Sequence, residues 1–379
     1  MGWQFILTDL NWTHIGEILN ASERKISLPL NAHDTASFRV RLDNPLAGVL
    51  CSCEGFIKAY RNNVLQYTGP VVSAEEVGDR NGATVAITSA GMGWYWNKLP
   101  IFNPQSYLGP PNPLPPAPPE GAGYPVNYPV LYYSRWANTI MNQELYFMVD
   151  YITGPNTVTG TTTFEYAVHK GKQLNQYLTE VSSGFDGFDW RILPRENYWP
   201  GYGAFGSGAK FTSADVIGEE KPEAIFEWGT GTKGNASGYS RLVSRESQAN
   251  PVYIMQSGGG VSTQNVISLD QPLYKKWGTL TDVVQTDITD TTLQYQLADE
   301  HVKVRKNPRV TLNITPHIDP QTTGRLPEFG VDYNVGDTIT ARARYNGSTR
   351  FDAQMRVRGV VFDIDDKGTE TISLTLTEE

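Results

Sequence analysis

The segment VVFDIDDKGTETISLTL, residues 360–376, decides how the end of the chain is interpreted. Its aspartates beside Gly368 resemble the first half of a calcium loop. An EF-hand loop needs an oxygen ligand at its fifth position, a glutamate at its twelfth and a helix on each side. Counted from Asp363, those two positions hold Lys367 and Leu374, so the ligand pattern of a calcium site is not met.

The residues on both sides of this turn follow the spacing of strands. Hydrophobic residues alternate in 360–364 and again in 372–376, which places them on one face of a strand. The sequence Asp-Asp-Lys-Gly at 365–368 is typical of a hairpin turn, because Asp bonds its own backbone and Gly allows a positive φ. We therefore predict a closing β-hairpin in which Asp363, Asp365 and Asp366 bind no metal. Their acidity then reflects solvation of the turn or pairing with nearby arginines, within or between subunits.

Length and composition indicate a globular protein and argue against nucleic-acid-binding and membrane proteins. The 379 residues suffice for two to four domains, and 39% hydrophobic with 11% aromatic residues is typical of a globular chain. A formal net charge of −9 argues against general binding to phosphate backbones. No apolar run of about eighteen residues is present, and the N-terminus does not resemble a secretory signal. We expect no insertion of this chain into a membrane.

Cysteine and histidine give no pattern for a metal or a cofactor. Cys51 and Cys53 are the only cysteines, and the five histidines are scattered without the spacing of metal ligands. We predict reduced thiols on a strand. We expect no cofactor, no metal and no catalytic residue.

The pattern along the chain predicts a mainly β protein with α+β insertions. Two small antiparallel β-barrel or sandwich domains would bracket mixed α/β domains. Tight turns such as Asn62-Asn63 and Asn81-Gly82 join short alternating strands near the start. The predicted divisions are a first barrel at 1–95, a proline-rich loop or arm at 96–133, an α+β domain at 134–215, a second barrel formed by 216–270 with 325–379, and a small mixed domain inserted at 271–324.

The glycine-rich sequence after AIFEW resembles a dinucleotide fingerprint. Gly229, Gly231 and Gly234 satisfy G-x-G-x-x-G, but such a fingerprint must open a helix whose N-terminus holds the pyrophosphate. NASGYSRLVSR follows instead, without helical periodicity. We predict a glycine-rich hairpin loop here.

The pair Asp186 and Asp189 resembles the two carboxylates of a glycosidase. Such carboxylates flank a cleft at a defined separation and usually come from different elements. Here they share one short segment with Gly184 and Gly187, so we predict a turn.

An unusual concentration of arginine lies near the end of this acidic chain. The default interpretation is a solvated strand face, and a subunit contact is the second, because Arg forms bidentate pairs with carboxylates across interfaces. The candidate interface residues are Arg342, Arg344, Arg350, Arg356 and Arg358.

Two regions together resemble a known family. They are 5–50 with 57–76, which includes RNNVLQYTGPV, and 333–345 with 355–376, which includes YNVGDTITARARY and the closing hairpin. In these patterns the chain resembles the tail-hub, baseplate-hub or minor tail proteins of long-tailed, siphovirus-type bacteriophages. The resemblance covers roughly the first 95 and the last 60 residues.

The resemblance implies a homotrimeric structural protein of the virion, located at the tail tip and made in the host bacterial cytoplasm. Each subunit would supply two related barrels, so that a ring of six adapts or closes the hexameric tail tube. The central channel would pass the tape measure protein and then DNA, without specific binding. The implied partners are the distal tail protein, the tape measure protein and tip or fibre proteins.

Two other functions remain open. A receptor- or carbohydrate-binding tail protein would use aromatic platforms, for which the nine tryptophans and WPGYGAF at 199–205 supply material. A cell-wall hydrolase is the third possibility, and its candidate carboxylates are Asp186 and Asp189.

Overall fold

The closing hairpin lies inside a large, mainly antiparallel sheet formed by strands from both ends of the chain. The structure is a computed structural model. It describes residues 2–9, 12–79, 82–98, 149–150, 173–183, 188–198, 207–229, 234–256, 265–286, 291–317 and 326–378.

The N-terminal part contains seven strands, one short α-helix and a 3-10 helix. In chain order these are β1 (Trp3–Thr8), β2 (His14–Glu17), β3 (Ser22–Pro29), β4 (Thr35–Arg41), α1 (Ala47–Cys51), β5 (Phe56–Arg61), β6 (Val64–Asp79), β7 (Gly82–Ala90) and the 3-10 helix Met92–Asn97. Asn62 and Asn63 both have positive φ, 51° and 65°, as the predicted tight turn requires. Cys51 ends α1 and Cys53 follows it, so the strand predicted for these thiols is wrong; both cysteines are free.

The remaining elements form a middle group and a C-terminal group. The middle group is β8 (Val149–Asp150), α2 (Leu174–Ser183), β9 (Asp189–Tyr198) and β10 (Ser207–Ala214). The C-terminal group is β11 (Glu220–Gly229), β12 (Ala236–Ser244), β13 (Val252–Gln256), β14 (Asn265–Ser268), α3 (Gln271–Trp277), β15 (Asp282–Thr286), α4 (Thr291–Arg305), β16 (Arg309–Pro316), β17 (Thr338–Tyr345), β18 (Ser348–Ile364) and β19 (Glu370–Thr377).

The predicted closing hairpin is confirmed. Strands β18 and β19 pair antiparallel, with Val360 opposite Leu374 and Ile364 opposite Glu370. Gly368 closes the turn with a φ of 81°, a conformation that glycine adopts without steric cost. The alternating residues Val360, Phe362 and Leu374 are fully buried, because the strand period of two turns them all toward the core.

A single 13-stranded sheet contains the strands of both chain ends. Its order is β12-β16-β19-β18-β3-β4-β7-β6-β5-β1-β2, with β17 also on β18 and β11 on β17. The two ends meet where β3 pairs with β18, which sets Leu28 opposite Val360 and Ile26 opposite Phe362. One hydrophobic core contains buried residues from both ends. The two predicted β regions are therefore joined by a continuous hydrogen-bonded seam.

Two smaller sheets accompany the large one. In the middle group the order is β8-β10-β9, and α2 contacts the 3-10 helix through Asn175 Nδ2 and Asn97 Oδ1, 2.7 Å apart. In the C-terminal group the order is β14-β13-β15, and α4 packs on this sheet around Val252, Ile254 and Leu297.

The division of the chain into domains stays a prediction, because strand pairing does not show which parts fold independently. Residues 252–256 and 265–268, assigned by the sequence to the second barrel, pair with each other, and 252–256 also pair with 282–286, which the sequence assigned to the inserted domain. Several parts of the chain named in the sequence predictions lie outside the described residues: the proline-rich loop or arm from residue 99 to 133, the aromatic segment 199–205 and the carboxylate Asp186.

Candidate functional site

In the acidic turn that resembles a calcium loop, backbone amides of the turn itself donate hydrogen bonds to a carboxylate. The Asp365 carboxylate accepts hydrogen bonds from the amides of Lys367, at 2.9 Å, and Thr369, at 2.7 Å. These bonds, the one from Thr369 above all, hold the pKa of Asp365 below its usual range. Asp363 lies 3.7 Å from Lys25 Nζ, so its partner is a lysine rather than one of the predicted arginines. Within the described residues no group of three or more His, Cys, Asp or Glu could hold a metal ion.

Glu370, at the start of β19, forms a buried ion pair with Arg61 at the end of β5. Glu370 Oε1 and Arg61 Nη2 are 2.6 Å apart, and their side chains are only 10% and 6% exposed. Trp3 Nε1 also donates to Glu370, at 2.8 Å, and Arg61 donates to the Phe329 carbonyl at 3.2 Å. The hydrogen bonds to Glu370 raise the pKa of Arg61. This cluster fastens the closing hairpin to the first strands of the chain.

Asp189 is the centre of a second buried cluster, where three parts of the chain meet. Its carboxylate accepts from Asn31 Nδ2 at 2.9 Å and from the Ile217 amide at 2.9 Å, and it pairs with Arg356. Asn31 Oδ1 in turn accepts the Trp190 amide at 2.7 Å. The predicted turn at Asp189 is wrong, because the residue begins strand β9 and is buried.

The five candidate arginines occupy different environments. Arg356 is buried and donates to the carbonyls of Gly336 and Ile217 at 2.9 and 2.8 Å. Its hydrogen bonds are therefore made within this chain. Arg358 lies 3.8 Å from Asp189 Oδ1 and donates to Thr377 Oγ1. The structure brings only these two together with Asp189.

The other three arginines lie at the far end of the β17–β18 hairpin. Arg342 pairs with Asp352 at 2.9 Å and Arg344 with Glu227 at 3.4 Å. The Arg350 guanidinium lies 5.7 Å from the centre of the Tyr345 ring. A subunit interface at Arg342, Arg344 and Arg350 stays a proposal.

A third cluster of charged and polar groups lies close to Asp189 on the same junction. Burial raises the pKa of Asp34 to about 7, and the nearby Arg191 opposes this shift. Burial likewise lowers the pKa of Arg191, with Asp34 opposing. His33 contacts Asn175 Oδ1 through Nε2 at 2.7 Å, and burial lowers its pKa. The sequence offered no indication of this cluster, since His33 and Asp34 lie more than 140 residues before Asn175 and Arg191.

The arrangement of the Asp189 cluster suits a structural role, in which it holds separate strands together, rather than catalysis. A general acid or base needs a free proton site within reach of a substrate. Asp189 is 5% exposed, and protein donors contact both of its carboxylate oxygens. The carboxylate therefore acts as an anchor that holds β9 and the residues before β11 against β18.

A surface groove of about 620 Å³ lies beside β2, α1 and the 3-10 helix. Its lining is largely apolar and includes Ile15, Val49, Trp94 and Tyr95, with the carboxylates of Asp9 and Glu54 at the same place. Burial raises the pKa of Tyr95 above its usual range. Within this lining, no histidine accompanies Cys53 to form a nucleophile and base pair.

The glycine-rich sequence after β11 leads into a strand. Gly229 ends β11, and β12 begins at Ala236. A Cβ on Gly234 would approach the Glu227 carbonyl oxygen to 2.4 Å, so this glycine allows a close backbone contact. A dinucleotide site requires a helix at this point, and the structure places β12 there instead.

The similarity to known proteins is structural. No protein-family model and no curated protein sequence matches the chain. The structure is similar to a tail protein from Neisseria meningitidis MC58, with a TM-score of 0.57 and 12% identity over 100% of this chain and 97% of that one. It is also similar to the 43 kDa tail protein of prophage MuSo2 from Shewanella oneidensis, with a TM-score of 0.56 and 11% identity over 99% and 98% of the chains. Prophage tail protein gp18 from Listeria monocytogenes EGD-e gives a TM-score of 0.52 and 11% identity over 99% and 94%.

These similarities define the class of fold. The chain has the mainly β fold of phage and prophage tail proteins over nearly its whole length. The buried clusters at Glu370 and Asp189 hold the parts of that fold together. No helix within the described residues is long and apolar enough to cross a membrane.

Proposed function

We propose that this chain is a structural protein of a phage tail tip: a homotrimeric hub that closes or adapts the hexameric tail tube. In this role the trimer surrounds a channel through which the tape measure protein and then DNA pass. The observation that carries the proposal is the similarity to three tail proteins across 99 to 100% of this chain. Its location would be the tail tip of the virion.

The internal organisation of the chain supports a mechanical role. The β3–β18 seam and the Arg61–Glu370 pair join both chain ends within one core. Breaking a buried ion pair is costly, because removing either partner leaves an uncompensated charge. A hub that transmits force between a tube and a tip requires such a rigid subunit.

The charge of the chain supports passage of DNA without binding. At a formal net charge of −9, the protein lacks the excess of Lys and Arg that drives affinity for phosphate by counterion release. The proposed partners are the distal tail protein, the tape measure protein and tip or fibre proteins.

Electron microscopy of the purified protein, alone and mixed with tube proteins, tests this function. We expect a threefold ring with a central hole, and light scattering should give three times the mass of one chain. A protein that stays monomeric in both preparations would refute the hub. Clear lysis of purified cell walls in a zymogram would instead establish a hydrolase.

A further inference from the structure

Three long strands of the large sheet have an edge that pairs with no other described strand. β11 pairs only with β17, and it lies beside the start of β12, where Asn235 Nδ2 donates to the Ile225 carbonyl at 2.8 Å and the Trp228 and Tyr239 rings are 4.9 Å apart. The other two edges belong to β12 and β6. One is β12, which pairs only with β16 among the described strands. The other is the second half of β6: residues 71–79 pair with β7, whereas β5 pairs only with residues 64–70. The β12 strand is nine residues long, and the β6 edge begins after Val71, whose amide donates to the Gly55 carbonyl at 3.2 Å. An uncovered edge presents free backbone donors and acceptors and readily pairs with another strand.

Both edges expose side chains that a soluble monomer would usually cover. On β12, Leu242 is 60% and Val243 49% exposed. On β6, Val77 is 46% exposed, and Glu75 and Glu76 lie beside it at the surface. These are sites of apolar exposure on strand edges, which native proteins generally protect.

The two edges carry opposite charges. Arg241 on β12 and Arg309, opposite Ser244 on the neighbouring β16, are exposed cations. Glu75 and Glu76 are the exposed anions of the β6 edge; Glu76 also accepts a hydrogen bond from the Cys51 thiol. Complementary charge favours one edge as the partner of the other and disfavours pairing of either edge with itself.

The strand directions also fit. Seven successive antiparallel pairings lead from β12 through β16, β19, β18, β3, β4 and β7 to β6. An odd number of reversals gives β12 and β6 opposite senses in the alternation of the sheet. A second copy that continues the sheet in the same sense keeps this alternation, so its β6 meets β12 of the first copy as an antiparallel pair.

We infer that β12 of one copy pairs with residues 72–79 of β6 in a second copy, so that the sheet continues from subunit to subunit around a closed ring. This inference rests on the proposed hub and specifies its subunit contact. It also identifies the contact as heterologous, with a different edge contributed by each neighbour.

The faces of the two strands select a register. Arg241 lies opposite Leu312 and Val243 opposite Val310, both buried, so these β12 residues are on the core-side face. On β6, Ala74 opposite Ile87 and Glu76 opposite Val85 share that face. An antiparallel register with Arg241 opposite Glu76 therefore also sets Val243 opposite Ala74, and Ser240 opposite Val77 on the other face.

Charge reversal tests the pairing. Arg241→Glu and Glu76→Arg should each place like charges opposite each other and raise the dissociation constant between copies by at least about tenfold. The double variant R241E/E76R restores opposite charges and should recover the trimer. Lys275→Glu makes the same change in charge on α3, away from both edges, and should leave association unchanged. Mass photometry over a dilution series measures all four.

Crosslinking gives a second measurement that does not depend on a destabilising change. In a chain with Cys51 and Cys53 replaced by serine, Ser240→Cys and Val77→Cys should be joined between copies by a short bismaleimide. A covalent trimer on a denaturing gel is expected. The single variant S240C has no partner thiol and should give none.

The outcomes separate this inference from the proposed hub. A wild-type trimer that survives both single reversals, or that gives no crosslinked species, overturns the edge pairing and leaves the hub intact. A wild-type chain that is monomeric alone and with tube proteins overturns both. A trimer lost in each single variant and recovered in R241E/E76R supports the pairing.

Discussion

Individual charged residues join segments that lie far apart in the sequence. Asp189 and Arg356 are separated by 167 positions, and Arg61 and Glu370 by 309. Each pair is buried, and residues from several other elements donate or accept further hydrogen bonds with it. A buried ion pair of this kind is often no more stabilising than a well-packed apolar pair, but removing one of its partners is costly.

Neutralising Asp189 should therefore destabilise the fold. In Asp189→Asn, Arg356 stays buried but loses its charged pairing with the Asp189 carboxylate, and we expect a loss of about 3 to 5 kcal/mol in the free energy of unfolding. The matched control is Asp352→Asn, which removes the partly exposed pair with Arg342 and should cost less than about 1 kcal/mol. Urea unfolding measures both, and equal losses would contradict an anchoring role for Asp189.

Asp34 should make stability depend on pH. Burial raises its pKa from 3.8 to about 7, so the folded state holds the proton more tightly than the unfolded chain does. Stability then falls as the pH rises through this window, by up to about 4 kcal/mol, and the loss is complete above the folded pKa. Asp34→Asn cannot ionise, so its advantage over the wild type should grow between about pH 4 and about pH 7.

The free energies of unfolding of wild type and Asp34→Asn, measured by urea titration at several pH values, test this. Below about pH 4 both side chains are neutral, which provides an internal control. A difference between the two proteins that stays constant with pH would show that Asp34 does not titrate in this window.

Among the elements, those defined by local pattern could be predicted from the sequence. The closing hairpin and the Asn62-Asn63 turn follow from strand alternation and turn chemistry over a few residues. The β3–β18 seam could not be predicted, because alternation shows which face of a strand is buried but not which distant strand is its neighbour. The buried pairs were missed for the same reason. Met355, Arg356 and Val357 are all buried, so periodicity does not distinguish this arginine.

The turn of the closing hairpin depends on one glycine. A Cβ on Gly368 meets no atom within 4 Å, but its φ of 81° disfavours any other residue. Gly368→Ala should therefore cost about 1 kcal/mol through the backbone alone. Gly359→Ala, in the same hairpin without a positive φ, meets only ordinary contacts at 3.6 Å and beyond and should be tolerated. Thermal unfolding compares them, and equal effects would contradict the backbone explanation.

The same turn should be indifferent to calcium. The Asp365 carboxylate already accepts two backbone amides, and the ligand positions of a calcium loop are occupied by Lys367 and Leu374. We expect calcium to leave the melting temperature unchanged. A large rise on titration with calcium, absent with magnesium, would restore the metal-site hypothesis.

At the scale of the whole molecule, the two ends of the chain should unfold together. They share one sheet and one core. Trp3 and Arg61, near the N-terminus, both donate hydrogen bonds to the Glu370 carboxylate, near the C-terminus. A fragment of residues 1–95 would leave the edge of β3 open and Arg61 without its carboxylate, so we expect it not to fold alone. Circular dichroism and proteolysis of this fragment, beside the full chain, measure this. A fragment that melts cooperatively would establish the first predicted domain as independent.

The β3–β18 seam also determines when the protein can fold during synthesis. Arg24 on β3 contacts Asp365 across 341 positions of sequence. At about 5 to 20 residues per second, β3 leaves the ribosome roughly 20 to 70 s before its partner strand exists. During that interval its edge is open to other chains or to chaperones. A ribosome that stops before residue 359 thus releases a chain without this seam, and only a chain translated through the last hairpin can complete the sheet.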